Sequence, residues 1–585
     1  MFLILYLLKM KLLHKPFLFF IFLFFYAAGN AQFFPTKNYP KKYFIYPVKA
    51  KIGLAANFGE LRPNHYHMGL DCRTEQVVNK PVIAAADGYI ARVSVAPFGF
   101  GRAIYINHPN GLTTLYGHLN NFFPELEKYL KEKQYQMKSW EVSLDIPANL
   151  FPVKQGQFIA FSGTTGGSQG PHCHFEIRDT KTDKVLNPLL FDFPIPDDVP
   201  PTIVRLAMYD RCKSTYSQSP KLFNLKKENG KYTTTENIIT VNTDKISFGI
   251  SANDKVSGST NPNGIYEAII YFDGKPLSAF QLDSISYDET RYLNAHIDYK
   301  TRAAGGAYIE HLSRLPGYPQ GVYKDINGDG VIELNDDSMH QIKIIVKDPR
   351  GNSSELNFKI KKGLIVEKGL QDSSSYFEKT EFHPGFVNIF ESENLQVILS
   401  PQVLYDSVLF SHSEKTSAAP HIYSAVHSVL SGLVPAQDFF TVKIKPDKSI
   451  ESNLSDKILM KRSWKSSSEV VKAKKEGDWY TAKFRSFGNF ELISDDEAPT
   501  ISTNFQENAI LTNVRNIVIT PKDNNDEIKN FSAELDGNWL RFTNDKGRLF
   551  IYSFDEKCPP GKHELKISVE DEAGNRTEKI LHFTR

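Results

Sequence analysis

Short apolar runs separated by turn residues dominate the chain and predict β-strands. IAAADGYIARVSV (83–95), RAIYINH (102–108), LTTLYGHL (112–119) and FIAFSG (158–163) are each bounded by Gly, Pro or Asn. One segment differs: residues 124–136 begin with proline and carry charges at helical spacing. We therefore expect a mainly β protein, with an antiparallel first domain into which one surface helix is inserted.

The later part of the chain contains a repeat. HQIKIIVKDPRGN (340–352) aligns without gaps with HELKISVEDEAGN (563–575), and each combines an alternating strand with an acidic residue and a Gly-Asn turn. The presumed starts, PPTIVRL and APTISTN, also match. The repeat predicts two related Ig-like β-sandwich modules, over 200–362 and 497–585. Short strands such as NLQVILS and FFTVKIK predict a further β-rich domain over 363–495.

The N-terminus is typical of a signal peptide rather than of a folded element. A lysine-bearing stretch is followed by the apolar run PFLFFIFLFFYAA and by the small residues Gly29 and Ala31. We expect a signal peptide over 1–31 that begins at Met1 or Met10 and is cleaved after Ala31. The alternative is an uncleaved anchor, but the run is short for a membrane span. Cleavage predicts an exported protein, periplasmic or at the cell surface, with no membrane span.

Composition narrows the class of protein further. A chain of 585 residues is too long for one core and predicts several domains. Removing the three lysines of the signal peptide changes the net charge from +2 to −1, so no basic field indicates nucleic-acid binding. Four cysteines are too few for a scaffold built on disulfides.

The first domain is predicted over 32–196 and ends at the proline-rich FPIPDDVPP. It contains several residues of the types that bind metal ions. In HYHMGLD, His67 and Asp71 are four residues apart and face the same side of a strand or a helix. YGHL contributes His118, and in GPHCHFE the two histidines His172 and His174 share a strand face. Three imidazole or carboxylate ligands with one open position form a catalytic zinc site. Two histidines are then left over, which suits acid–base chemistry.

In this order, HxGxD, YGHL and TGxSxGPHxHFE resemble the lysostaphin-type (LytM-like) zinc endopeptidases, β-rich enzymes that cleave peptide bonds in peptidoglycan. The resemblance covers roughly residues 52–179. It implies that zinc is bound by His67, Asp71 and His174. It also implies that His118 and His172 are catalytic histidines that do not bind zinc and that assist a zinc-activated water.

Two departures from the family pattern concern substrate choice and the cysteines. The segment 120–150 is longer than usual, which leaves groove shape and substrate choice open. Cys173 replaces the common leucine, and strand alternation directs it away from the zinc. Because Cys72 follows Asp71, we expect the two cysteines to be neighbours behind the metal, as a reduced packed pair or as a disulfide.

The resemblance implies an exported zinc endopeptidase that hydrolyses cross-links or stem peptides of peptidoglycan. One alternative is a non-catalytic protein that binds peptidoglycan or regulates another hydrolase, and another is a zinc peptidase acting on surface proteins. We expect the β modules to place or regulate the enzyme. Their exposed edge strands could pair with a cell-envelope protein partner, or they could be spacers.

A second cation site is predicted within DINGDGVIELND. The twelve residues place Asp325, Asn327 and Asp329 at positions 1, 3 and 5, and Asp336 at position 12. This pattern resembles a dockerin-like calcium loop, with Asp in place of the usual final Glu. The alternative is a polar turn between two strands.

Overall fold

The structure is a computed structural model that describes residues 33–35, 37–363, 380–525 and 528–585. The expected signal peptide lies outside the described residues. The chain divides into two compact units, Met1–Tyr39 and Pro40–Arg585, and everything below concerns the second unit. Within the described residues, no helix has both the length and the apolar character needed to cross a membrane.

Strands dominate the described chain, which confirms the mainly β fold class. Helices are few, and one is much longer than the others. The α-helices are α1 Pro124–Met137, α2 Leu293–His296 and α3 Tyr299–Ala303, and the 3-10 turns are Pro188–Phe191, Thr215–Ser217, Thr290–Tyr292, Ser455–Lys457 and Asp545–Gly547.

The first domain contains fourteen strands in the described residues. They are β1 Leu54–Ala56, β2 Leu61–Arg62, β3 His65–Tyr66, β4 Leu70–Arg73, β5 Pro81–Ile83, β6 Gly88–Val95, β7 Arg102–Asn107, β8 Leu112–Gly117, β9 Leu119–Phe122, β10 Val142–Asp145, β11 Pro152–Val153, β12 Phe158–Ser162, β13 His172–Asp179 and β14 Val185–Leu186. A large antiparallel sheet has the order β1-β4-β13-β8-β7-β6-β10, and a small one has the order β5-β12-β9. This arrangement places β13 in the large sheet between β4 and β8.

Two of the strands expected from the sequence are interrupted. The segment 83–95 is divided between β5 and β6, and LTTLYGHL is divided between β8 and β9 at His118. His118 has a φ of 59°, a left-handed conformation that few residues other than glycine adopt. At each interruption the chain passes from one sheet to the other. The apolar pattern does not reveal this change because the residues 84–86 are buried as well.

Helix α1 occupies the predicted position between β9 and β10. Proline stands at its first turn, where an unpaired backbone N–H would otherwise remain. Leu126, Leu130 and Gln134 are buried at a spacing of four residues and form the inward face. The helix ends at Lys138, which adopts a left-handed conformation.

Three further β domains follow, and we refer to them by their predicted ranges as the second (200–362), third (363–495) and fourth (497–585) domains. The second contains β15 Thr202–Asp210, β16 Lys221–Phe223, β17 Leu225–Glu228, β18 Lys231–Thr234, β19 Ile239–Val241, β20 Lys245–Asn253, β21 Glu267–Phe272, β22 Lys275–Gln281, β23 Ser284–Ile285, β24 Glu310–His311, β25 Tyr323–Asp325, β26 Ile332–Glu333, β27 Met339–Lys347 and β28 Ser353–Lys362. Its two main sheets have the orders β16-β15-β20-β24 and β17-β18-β28-β27-β21-β22-β25.

The third and fourth domains also consist of paired sheets. The strands of the third are β29 Glu381–Phe382, β30 Asn388–Glu391, β31 Leu395–Leu399, β32 Val408–Leu409, β33 His412–Lys415, β34 Val426–Val429, β35 Pro435–Ile444, β36 Ile458–Trp464, β37 Ser467–Lys472, β38 Lys474–Glu476, β39 Trp479–Ser486 and β40 Gly488–Ser494. Those of the fourth are β41 Thr500–Thr503, β42 Ala509–Ile510, β43 Asn516–Lys522, β44 Ile528–Leu535, β45 Asn538–Trp539, β46 Phe550–Ser553, β47 Lys562–Asp571 and β48 Arg576–Thr584.

The first three domains share one apolar core. Phe58 and Met68 of the first domain belong to the same cluster of buried side chains as Phe248 of the second and Tyr405 of the third. Strand β14 also pairs with β23, which extends the large sheet of the first domain into the second. The fourth domain has a core of its own. The second domain is therefore packed against the first, and the third belongs to the same continuous core.

Candidate active site

His67, Asp71 and His174 converge on one point of the first domain. Asp71 on β4 lies directly opposite His174 on β13, and His67 follows the short strand β3. The Nε2 atom of His67 is 2.9 Å from Asp71 Oδ1 and 3.1 Å from His174 Nδ1, and His174 Nδ1 is 3.1 Å from Asp71 Oδ1. All three side chains are buried. The three atoms thus form a nearly equilateral triangle.

This donor set fits zinc. Two imidazole nitrogens and one carboxylate oxygen are ligands that zinc prefers, and three protein ligands leave a fourth position open. Zinc–ligand bonds of about 2.0 Å in a tetrahedral arrangement place ligand atoms about 3.3 Å apart. The observed separations of 2.9–3.1 Å are close to that value. The triangle can accept the ion without rearrangement of the strands.

Hydrogen bonds on the far side of each ring set which nitrogen faces the metal position. His67 Nδ1 donates to the carbonyl oxygen of Asn57 at 2.7 Å, which leaves Nε2 directed at the triangle. His174 Nε2 donates to the carboxylate of Glu176 at 2.9 Å, which leaves Nδ1 directed there. Metal-binding histidines commonly use such outer hydrogen bonds to fix their tautomer and orientation.

Glu176 is the centre of a buried polar group that sequence reasoning missed. Its side chain is fully buried, and it accepts hydrogen bonds from His174, from Arg178 Nε at 2.7 Å and from the hydroxyl of Tyr287. Burial alone would raise the pKa of Glu176, but Arg178 and His174 hold it below the usual value. The available signal was strand alternation, because Glu176 follows His174 by two residues. Tyr287 belongs to the second domain and carries no local signal.

We predict that Tyr287→Phe weakens the site without unfolding it. The substitution removes the hydroxyl that donates to Glu176, and loss of an outer partner typically lowers metal affinity or activity by about 10-fold to 100-fold. Zinc affinity is measured by competition with a chelator, beside the melting temperature. Tyr232→Phe, on β18 of the same domain, is the matched control. Unchanged zinc affinity and unchanged turnover in Tyr287→Phe would contradict a positioning role.

His118 and His172 lie side by side next to the triangle. Their ring centroids are 4.8 Å apart, and His172 Nε2 is 3.3 Å from Asp71 Oδ1. His118 Nδ1 donates to the carbonyl oxygen of Thr165 at 2.8 Å, and His172 Nδ1 donates to that of Gly170 at 2.9 Å. Burial, and then the neighbouring imidazoles of His174 and His172, lower the pKa of His118 to about 3. His118 is therefore neutral at neutral pH, and its Nε2 atom can accept a hydrogen bond.

The glycine-rich turn 163–170 positions both of these histidines, because it supplies the carbonyls of Thr165 and Gly170. Gly166 has a φ of 68°, and a Cβ at this position would lie 2.3 Å from the backbone nitrogen of Gly101. The side-chain hydroxyl of Thr165 donates to the carbonyl oxygen of Leu119 at 3.0 Å. Only glycine allows the turn to approach the neighbouring loop this closely.

The fourth domain contacts the same turn. Asp545 accepts a hydrogen bond from the backbone N–H of Gly166 at 2.8 Å, and Lys546 Nζ donates to the carbonyl oxygen of Ser168 at 2.8 Å. These contacts join residues that are almost 380 positions apart in the chain. The loop at 544–547 thus forms part of the surroundings of the active site.

Helix α1 forms the second contact with the fourth domain. Lys131 Nζ lies 2.6 Å from the carboxylate of Asp555, and Arg541 Nε donates to Gln134 Oε1 at 2.9 Å. The ring of Tyr135 packs edge-on against that of Trp539, with centroids 5.4 Å apart. The long segment 120–150 therefore provides the surface on which the fourth domain sits.

The two cysteines of the motifs are neighbours, as expected. Cys72 and Cys173 are directly opposite each other on β4 and β13, and both are fully buried free thiols. Burial raises the pKa of each thiol well above the usual value. They pack behind the metal position as a reduced apolar pair and have neither the exposure nor the charge state of a nucleophile.

In the predicted calcium loop, the side chains expected to bind the ion contact other protein groups instead. Arg314 forms a two-pronged ion pair with the carboxylate of Asp325, with Nε 3.1 Å from Oδ1. Asn327 donates to the carbonyl oxygen of Pro276, and Asp329 and Asp336 accept from nearby backbone N–H groups. Among the described residues, the carboxylate and imidazole groups that converge closely enough for one ion do not include these aspartates. Calcium binding by this loop stays a prediction.

An antiparallel β domain with a His–Asp–His triangle and two further histidines beside it defines a metallopeptidase of the zinc class. Residues 65–135 match Peptidase family M23, and residues 379–495 match a Zu5-like domain. The match to Peptidase family M23 lies within the first domain and confirms the resemblance stated from the motifs.

Curated relatives match part of the chain. An uncharacterized metalloprotease of Haemophilus influenzae is 29% identical over 178 residues, 28% of this chain and 31% of the relative. The DD-carboxypeptidase/endopeptidase Mpg of Neisseria meningitidis serogroup B is 34% identical over 131 residues, 22% of this chain and 24% of the relative. The chain thus spans less than a third of the length of each of these relatives.

Solved structures of peptidase domains are similar as well. The catalytic domain of lysostaphin from Staphylococcus simulans is 22% identical and covers 24% of this chain and 91% of its own, with a TM-score of 0.18.

Proposed function

We propose that the protein is an exported zinc endopeptidase that hydrolyses peptide bonds in peptidoglycan, in cross-links or in stem peptides. The observation that carries this proposal is the pair of His118 and His172 beside the His67–Asp71–His174 triangle. A protein that only binds peptidoglycan has no need of two oriented imidazoles next to a complete ligand set. The name of the Neisseria relative, a DD-carboxypeptidase/endopeptidase, supports the substrate class.

Each group of the site has a role that its geometry supports. Zinc, when bound, supplies a Lewis acid that polarises the scissile carbonyl and lowers the pKa of a water molecule. His67, Asp71 and His174 hold the ion, and Asn57 and Glu176 fix the two imidazoles that face it.

The two remaining histidines transfer protons and stabilise the charge that develops during the reaction. Both donate through Nδ1 to the backbone of the turn 163–170, which leaves Nε2 of each ring free of that turn, and Nε2 of His172 lies 3.3 Å from Asp71 Oδ1. A neutral Nε2 accepts a proton from the attacking water, and a protonated one stabilises the oxyanion or protonates the leaving amine. We assign these two tasks to His118 and His172 as a pair.

The test is digestion of purified cross-linked and uncross-linked muropeptides, followed by mass spectrometry. We expect peptide products from the wild-type protein, loss of these products with a chelator, and recovery when zinc is added back. Binding of peptidoglycan without cleavage would instead support the regulatory alternative. Cleavage of surface proteins but of no muropeptide would overturn peptidoglycan as the substrate.

A further inference from the structure

A second group of acidic side chains lies at the junction of the first and second domains. Asp197 belongs to the proline-rich linker, Asp254 follows β20 and Asp348 follows β27. Their carboxylate oxygens lie within 4.8 Å of one another. Asp254 is 2% exposed and Asp348 is 1% exposed. Three like charges are thus held together in a largely water-free position.

Asp254 is only partly satisfied by the described residues, because the backbone N–H of Lys255 bonds to its carboxylate but one oxygen has no partner. Its Oδ1 atom is buried and accepts no hydrogen bond, whereas both oxygens of Asp348 accept from the turn that follows β27. Leaving a buried charged oxygen unsatisfied is costly. Burial, and then the charges of Asp197 and Asp348, raise the pKa of Asp254 to about 7.

A buried amide without partners lies beside this carboxylate. Asn263 is the backbone partner of Asp254, with N–O distances of 3.0 and 2.8 Å in the two directions. Directly paired residues place their side chains on the same face, about 5 Å apart at Cβ. Asn263 is 4% exposed, and neither its Oδ1 nor its Nδ2 has a hydrogen-bond partner. Among the described residues, two adjacent buried side chains therefore each have a polar atom without a partner.

Arg350, a basic residue close to Asp348 in the sequence, binds other groups. Arg350 lies in the turn after β27, but its guanidinium binds Asp192 at 2.9 Å and the carbonyl oxygens of Phe193 and Ile195. No ion pair between Arg350 and the three aspartates occurs among the described residues. The negative charge of the group is left for a ligand to neutralise.

We propose that Asp197, Asp254 and Asp348 bind a calcium ion, with the amide oxygen of Asn263 as a further ligand. Carboxylate and amide oxygens are the donors that hard cations take, and calcium accepts them in irregular geometry. Magnesium keeps several of its waters and suits such a buried group less well.

The fourth domain contains a similar group of three aspartates, but the hydrogen bonds to its carboxylates differ. Asp495, Asp523 and Asp571 also lie within 4.8 Å of one another, at the equivalent positions of the repeat. There, however, Asn524 and Asn525 donate to the two carboxylate oxygens of Asp495. Asp523 Oδ1 also lacks a partner among the described residues, but the two amides already satisfy both oxygens of Asp495, and the proposal is confined to the second domain.

The location gives the ion a structural role near the peptidase site. Gly264, the residue after Asn263, exchanges two hydrogen bonds with the side chain of Asn57, at 2.8 and 3.0 Å. Asn57 is the residue whose carbonyl orients His67. The ion would thus fix the interdomain linker and the loop 254–264 to each other, directly behind a zinc ligand.

The test uses the full mature, zinc-loaded protein titrated with calcium chloride by calorimetry and in thermal melts. We expect a calcium-dependent rise in melting temperature of roughly 5 °C in the wild type. Asp254→Asn should lose this rise and weaken calcium binding at least about 10-fold, with unchanged zinc content. It should not lower the melting temperature measured without calcium, since it removes an uncompensated charge. Asp197→Asn, in the linker, provides a second variant with the same expectation.

Two matched controls test whether the calcium-dependent shift in melting temperature arises at the proposed site. Asp523→Asn in the fourth domain and Asp325→Ala/Asp329→Ala in the sequence-predicted loop should both keep the shift. A wild-type protein that does not respond to calcium would overturn the proposal, as would an undiminished response in Asp254→Asn. An equal response to magnesium would overturn the choice of ion.

Discussion

Asp71→Ala is expected to release zinc from the protein and to reduce peptide-bond hydrolysis by more than about 10³-fold. Asp71 supplies the only carboxylate of the triangle, and its Oδ1 lies within 3.3 Å of three imidazoles. Without it, two histidines face the ion, and the negative charge that favours a divalent cation is lost. A metal ion is worth several kcal/mol of transition-state stabilisation, and each 1.36 kcal/mol corresponds to a factor of ten in rate.

The measurement is zinc content by elemental analysis, beside the turnover of a muropeptide by the same preparation. Asp145→Ala is a matched control, because Asp145 is exposed on the edge strand β10 of the same sheet. This control should retain zinc and activity. If Asp71→Ala keeps stoichiometric zinc and wild-type turnover, Asp71 is not a ligand and the proposed site is wrong.

The five residues of the site could be selected from the sequence because they occur in short motifs on regular strands. Strand alternation correctly placed His172 and His174 on one face and Cys173 on the other, and the structure pairs Cys173 with Cys72 behind that face. These features depend on local geometry, which the order of residues determines directly. The structure brings all five predicted side chains together.

The supporting groups of the site depend on contacts between distant parts of the chain. Tyr287 reaches Glu176 across 111 positions, and Asp545 reaches Gly166 across 379. Periodicity and residue spacing do not predict which surfaces of two modules come into contact. The fold of each module is compatible with many relative orientations of the modules. Prediction from the sequence also missed the break at His118, because a left-handed φ leaves no mark in an apolar pattern.

The inserted helix could be predicted from the local sequence, but its contacts with the fourth domain could not. The proline start and the charge spacing indicated α1, and the structure has it within one residue of the expected end. Its charged and aromatic side chains, however, do not simply face solvent. Lys131 and Tyr135 bind the fourth domain, whose loop at 544–547 contacts the active-site turn. The insertion and the fourth domain thus contact each other beside the active-site turn.

His118→Ala and His172→Ala are each expected to retain zinc and to lose about 10²-fold to 10⁴-fold in turnover. Neither side chain belongs to the triangle, so the ligand set stays complete. Each is held through Nδ1 by the turn 163–170, and a positioned general acid or base is worth a factor of this size. Zinc content and turnover of a defined muropeptide, measured on the same samples, separate loss of the metal from loss of proton transfer.

A buried histidine elsewhere in the domain provides the control. His108 bonds to the carbonyl of Asp87 and to the hydroxyl of Thr114, so His108→Ala should lower the melting temperature and leave turnover per folded molecule intact. If the two site histidines act as one unit, the double variant should be scarcely slower than the more damaged single variant. Strictly multiplicative losses would show that they act independently. Wild-type turnover in either single variant would remove that histidine from the mechanism.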